Sequence, residues 1–200
     1  MKISILLIGL IVVGGLIFYL TSCKNRTKAQ QANGQPDNSK DSVKIHNLKD
    51  NPFEGLRKQA FDVTPQQLGL SINDSEIYGV IMDWDLGNGI MTLITYKTGD
   101  ASMYLSSGGG VIGGGQHENV NKAAKEFVII AHKYLDKATK IESTPIPDKD
   151  CVRFYFLTVK GKYCAQEQMT KFENQSSLWL DYFNEANKVI TELRKTVDMK

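Results

Sequence analysis

The chain has few of the residues that announce chemistry. Three histidines and three cysteines stand among its 200 residues. They form no Cys-x-x-Cys pair, no His-Glu-x-x-His run and no other spacing that holds a metal, so no metal centre and no cofactor is implied. No Gly-Lys-Ser/Thr follows the glycine-rich stretch, which excludes a P-loop. There is no internal repeat, which excludes a solenoid. A basic surplus is missing where it would matter. Residues 1–50 carry a net charge of +4 and residues 51–200 a net charge of −2. The larger part therefore lacks the electrostatic footprint of a nucleic-acid binder, and no nucleic-acid partner is expected. No Ser–His–Asp or Cys–His arrangement can be argued from spacing, since such groups meet only in the fold.

What the chain does have begins at its start. After Met1-Lys2, the run Ile3 to Leu20 is apolar apart from Ser4, with three glycines included. Thr21, Ser22 and Cys23 follow, then Lys24, Arg26 and Lys28. Leu20-Thr21-Ser22-Cys23 resembles the lipobox of bacterial lipoproteins: an aliphatic residue, two small ones, then the cysteine that takes lipid. The resemblance covers these four residues only. It implies that residues 1–22 are a cleaved signal and that Cys23 opens the mature chain as the lipidated residue. Two or more acyl chains, at about 0.8 kcal/mol per buried CH₂, hold a soluble domain at a membrane surface.

A second reading keeps the run as a transmembrane helix. Eighteen residues at a rise of about 1.5 Å reach about 27 Å, close to the hydrocarbon thickness of a bilayer. The run also exceeds the usual signal-peptide core of about 7–15 residues. Basic residues after the run would then place the rest of the chain in the cytoplasm. A lipoprotein domain would face away from it, in the cell envelope. Either way the membrane is the one partner the sequence implies. Residues 23–50 are polar and almost free of large apolar groups, as in a disordered tether with a typical reach of about 30 Å.

Residues 51–200 are long enough for a single domain with one core. Thr64-Pro65-Gln66-Gln67 carries a capping-box start for a short helix stopped by Gly69. Three strands follow at Glu76–Trp84, Ile90–Lys97 and Ala101–Ser106, joined by short turns as an antiparallel meander. On the first of them, Tyr78, Val80, Met82 and Trp84 are expected to share a face. Val120, Ala123, Phe127, Ala131, Tyr134 and Ala138 make one stripe of an amphipathic helix over about 118–138. A hairpin runs from Cys151 to about Gln166, turning at Lys160-Gly161. Its first strand is apolar on both faces except at Arg153, as for a strand covered on both sides. A last helix spans about 177–194, with Trp179, Phe183, Ala186, Ile190 and Leu193 as its stripe. The order β-β-β-α-β-β-α predicts an α+β domain on one mostly antiparallel sheet.

Two groups of residues qualify as candidate sites. The first is the segment from Ser106 to His117, with six glycines among residues 108–115. Gly108-x-Gly110-x-x-Gly113 formally matches a dinucleotide fingerprint. The preceding strand belongs to a meander, however, and no acidic residue follows at the required distance. What remains is an anion held by backbone N–H groups of Gly110, Gly113, Gly114 and Gly115 at a helix start, with His117 as a proton donor. The competing reading is structural: a flexible connection, or a glycine strand over which a helix packs closely. The second group is Asp83, Asp85 and Asp100, carboxylates that would gather at one sheet edge for acid–base work or Ca²⁺, or would simply cap turns. His132 reads as a flank residue of the long helix. Cys151 and Cys164 are expected to be free thiols, because the hairpin register holds them about 20 Å apart. These observations favour a membrane-tethered, non-catalytic binding or structural module of a bacterial envelope. The alternative is an envelope enzyme acting on an anionic small molecule at residues 108–115.

Overall fold

The computed structural model describes residues 52–198. The expected signal or anchor at 1–22, the tether at 23–50 and Cys23 lie outside the described residues. Among those described, no helix is long and apolar enough to cross a membrane.

The fold is α+β. Helix α1 (Phe53–Asp62) precedes strands β1 (Ile77–Asp85), β2 (Ile90–Tyr96), β3 (Ala101–Leu105) and β4 (Gly110–Val111). Helix α2 (Glu118–Ile130) leads through two 3₁₀ turns to β5 (Thr139–Ile141). The hairpin β6 (Cys151–Thr158) and β7 (Gly161–Gln168) follows, then α3 (Met169–Glu173) and α4 (Leu180–Asp198). All seven strands form one antiparallel sheet in the order β4-β3-β2-β1-β6-β7-β5. The meander and the hairpin thus meet along β1 and β6. That placement explains why β6 is apolar on both faces: it has a strand on each side and a layer above and below.

The first face carries the main core. Val80, Met82, Leu93, Phe154 and Phe156 of the sheet meet Val120, Phe127, Tyr182, Ala186 and Leu193 of α2 and α4, each almost or wholly excluded from solvent. Full burial of such a side chain stabilises by about 1.5–3 kcal/mol. The Tyr182 ring lies 4.5 Å from that of Phe127, 4.6 Å from Tyr134 and 5.1 Å from Phe154. The second face is covered more thinly. Ala60 and Phe61 of α1 lie on Ile81, Ile94, Tyr155 and Leu157. The carbonyls at the end of α1 accept from the sheet: Tyr96 donates to Ala60 O at 2.8 Å and Tyr78 to Val63 O at 2.9 Å. Those groups would otherwise be left without partners at a helix end.

Several elements depart from what the sequence predicts. Helix α1, strand β5 and helix α3 have no counterpart among the elements the sequence pattern predicts. The Thr64–Gln67 box forms its side-chain bonds, but Gly69 at φ +68° ends the segment as a turn before a helix develops. Tyr78 sits on the second face, opposite Val80 and Met82, because the β1–β6 ladder shifts register between Ile77 and Gly79. Helix α2 stops at Ile130 and continues only as 3₁₀ turns. In the hairpin, Val159 and Lys160 form the turn, and Thr158 pairs with Gly161. Cys164 therefore faces Tyr155, and Cys151 lies four residues further along β6, facing Gln168. The register differs from the expected one by two residues, yet both thiols are free.

Two expected outcomes follow from the buried phenols. The Tyr182 hydroxyl has no hydrogen-bond partner, and burial pushes its ionisation far up. Removing an unsatisfied buried hydroxyl relieves a cost of about 1–3 kcal/mol, so Tyr182→Phe should raise the melting temperature. An unchanged or lowered melting temperature would show that the hydroxyl is satisfied in solution. Burial also raises Tyr155, to about 12, and lifts Tyr78, Tyr96 and Tyr104. Phenols with a raised folded pKa contribute stability that is complete below the unfolded value of about 10 and is lost as pH rises through about 12. Ultraviolet titration should show these tyrosinates appearing together with unfolding, above the range of free phenol.

Candidate functional site

The second face of the sheet carries a polar row across five strands. The register aligns Tyr104 of β3, Thr92 of β2, Asp83 of β1, Arg153 of β6 and Gln166 of β7. At its middle, Asp83 is fully buried. A carboxylate in such a place costs several kcal/mol unless it is paired and hydrogen-bonded. Arg57 supplies the pairing from α1. Its Nε and Nη2 donate to Asp83 Oδ2 at 2.9 and 2.5 Å. The Thr92 hydroxyl donates to Oδ1 at 2.5 Å. Burial pushes the Asp83 carboxyl above the usual range, while the Arg57 guanidinium and the Thr92 hydroxyl act against that rise.

Arg57 also reaches the segment 142–150, which crosses this face as a strap. Its Nη1 donates to Thr144 O at 2.9 Å and its Nη2 to Pro145 O at 3.3 Å. Pro145 O accepts from the Tyr155 hydroxyl and from Arg153 Nη1 as well. Further along, Gln166 Nε2 donates to Asp148 Oδ2 at 2.7 Å, and Asp148 N–H donates to Gln166 Oε1 at 3.0 Å. The guanidinium carbon of Arg57 lies 4.8 Å from the Phe61 ring centroid, within cation–π range. Between α1 and the strap runs an open groove of about 1010 Å³, lined by Phe53, Lys58, Phe61, Glu142, Ile146 and Lys162 among others, with Arg57 in its floor.

The sequence pattern marks Arg153 as the one charged group of β6 and does not single out Arg57. The signal was there. The buried positions of α1 are 53, 57, 60 and 61, a helical stripe with an arginine at its centre. Such an arginine needs a buried acid, and Asp83 is that acid.

Of the carboxylates considered together, Asp83 and Asp85 do share the second face, but they do different work. Asp85 accepts the N–H groups of Gly87 at 3.1 Å and Asp150 at 2.7 Å, as turn chemistry. Asp100 accepts the Thr98 hydroxyl at the opposite end of β2, about 20 Å from Asp85 at the usual rise per residue. The three do not gather. Among the described residues no group of His, Cys, Asp or Glu could hold a metal ion. His132 is exposed, with Nδ1 2.6 Å from Ile129 O.

The glycine segment is packed against the fold at Gly110, Gly114 and Gly115, while Gly108, Gly109 and Gly113 face open space. Gly110 adopts φ +153° in β4, and a Cβ there would overlap Met103 O. Gly113 is left-handed at φ +71°. Gly114 is buried, and a Cβ would overlap Leu193 of α4. At Gly115 a Cβ would come within 2.8 Å of Gly99 O and of Asp100 Cα. Several N–H groups here donate internally: Gly113 to Ser102 Oγ at 3.2 Å, Gln116 to Gly113 O at 3.5 Å and His117 to Gly114 O at 3.0 Å. His117 itself is exposed at the start of α2 and makes no side-chain cap.

Comparison of the chain with models of known protein families, with curated proteins and with solved structures finds no match in any of the three.

The packing at Gly115 gives a direct test of the segment's role. Backbone atoms of Gly99 and Asp100 cannot yield as a flexible side chain can. Gly115→Ala should therefore destabilise the protein by about 1–3 kcal/mol, the usual cost of overpacking. Thermal melts of wild type and variant with and without phosphate or nucleotide check this. A variant as stable as wild type, or a wild type strongly stabilised by either anion, would favour the anion-cradle reading.

Proposed function

We propose that the chain is a membrane-anchored, non-catalytic binding or structural module of a bacterial cell envelope, held at the membrane surface through lipid on Cys23. The single observation that carries this reading is the junction Leu20-Thr21-Ser22-Cys23 at the end of an apolar run, followed by a polar stretch to residue 50. The domain's chemistry is consistent with it. Arg57 and Asp83 are spent on each other and on the strap. Gly110, Gly114 and Gly115 fill close approaches to β3, α4 and the β2–β3 turn, and three N–H groups of the segment and the start of α2 are bonded internally. Both features support a scaffold role over an enzyme working on an anion at residues 108–115.

The anchor is tested by intact mass of the protein extracted from membranes. The expected species begins at Cys23 and carries acyl chains. Cys23→Ala should abolish both the lipid and the cleavage, and should leave an unprocessed chain. A wild-type chain that retains Met1 and an unmodified Cys23 would overturn the lipoprotein reading in favour of an uncleaved transmembrane helix with a cytoplasmic domain.

A further inference from the structure

The two faces of the sheet are covered very unequally. Among the described residues, twenty-one buried apolar residues join the core under α2 and α4, against eight in the layer under α1. Regions with few buried apolar contacts open first in native proteins. The thin layer has a second peculiarity, in that its central contact is ionic. A buried ion pair loses hydration when it forms and regains it when it parts, so its net hold is far smaller than its Coulomb attraction. An apolar plug would gain no such hydration on leaving. The best-attested use of a pair of this kind is to fix register or to switch.

The contacts also tie two separate elements to one another. Arg57 holds α1 to β1 through Asp83 and holds the strap through Thr144 O and Pro145 O. Tyr155 serves both as well. Its ring meets Phe61 of α1 edge-on at 4.9 Å, and its hydroxyl donates to Pro145 O. If α1 lifts, the strap loses its Arg57 donors, and Asp83 loses its counter-charge.

We propose that α1 and the strap 142–150 open and close as one unit over the second face of the sheet, with Arg57 as their shared latch, while the core under α2 and α4 stays intact. Opening widens the groove between α1 and the strap. It presents the row Thr92, Asp83, Arg153 and Gln166 together with Ile81 and Ile94, a strip of alternating polar and apolar character on a sheet face. Arg57 is a positioning residue in this device, and the proposal is independent of how the chain is anchored.

Native-state hydrogen exchange on the full chain, read by mass spectrometry, tests it. Amides of α1 over 57–62 and of the strap at Asp148 and Asp150 should exchange with a common protection. That protection should be at least about a hundredfold below that of β6 and α4, as for a sub-global opening. Arg57→Lys keeps a cation for Asp83 but lacks the planar fork that reaches Thr144 and Pro145. It should speed exchange in the strap by about tenfold or more relative to α1, which uncouples the two. Equal protection of α1, the strap, β6 and α4 in wild type would overturn the proposal, since opening would then be global unfolding. So would protections of α1 and the strap that differ in wild type by more than about tenfold. Both overturning results come from the wild type alone, so a failure of Arg57→Lys to fold leaves the test decisive.

Discussion

The buried contact between Arg57 and Asp83 is the constraint around which the second layer of this domain is arranged. A carboxylate at the centre of a sheet face needs a partner from outside the sheet here, because, of its cross-strand neighbours, Thr92 gives only a hydroxyl and Arg153 donates to Gln166 and Pro145 O instead. Arg57 fills that need and so fixes where α1 lies. Once the guanidinium is in place, its remaining donors fix the strap, and Pro145 O becomes an acceptor shared by three side chains. The aromatic residues follow the same geometry. Phe61 packs on Tyr155 and beneath the guanidinium, and Tyr78 and Tyr96 close the carbonyl end of the helix and the residues just after it. Polar groups here do not interrupt a core. They specify one register of a short helix whose apolar contacts alone are few.

On the other face the specification is steric. Of the six glycines between Ser107 and Gln116, Gly114 and Gly115 let the chain enter α2 while staying tight against α4 and the β2–β3 turn. The left-handed turn at Gly113 aims the segment, and Gly114 leaves room for Leu193. The long α4 can therefore sit close over the sheet beside α2, with Tyr182 and Leu193 fully buried.

Much of this architecture is legible in the amino-acid pattern. The runs of β2 and β3 and the doubly apolar β6 predict the strands, and the stripes of α2 and α4 predict helices together with their inner faces. What the pattern hides has identifiable causes. The Tyr78 face flips because one irregularity in the ladder, between Ile77 and Gly79, reverses the alternation, and its one mark in the run Ile77 to Met82 is the glycine inside the strand. The hairpin register slips by two because Lys160-Gly161 reads as the turn, whereas Gly161 at φ +133° is the first residue of β7. Helix α1 escapes notice because an arginine stands where its stripe should be most apolar. The glycine segment shows an unusual demand on the backbone, but composition alone does not distinguish a ligand from a neighbouring helix. Strand β5 is three residues long and mostly exposed, so it has no alternation to read.

The central position of the β1–β6 ladder has a consequence for how the chain reaches this state. Strands β1 to β3 pair through short turns and can assemble as soon as they exist. Strand β6 must instead find the free edge of β1 across the whole of the intervening chain, because Trp84 pairs with Val152 and Ile77 with Thr158. Long-range pairings of this kind slow folding, since loop closure precedes any gain from contact. During synthesis, the edge of β1 stays open until β6 has emerged, and it carries the apolar sequence Ile77-Tyr78-Gly79-Val80-Ile81-Met82. An unpaired apolar edge is the template on which chains aggregate. The newborn chain therefore passes through a vulnerable interval, which ends when residues 151–158 close the sheet.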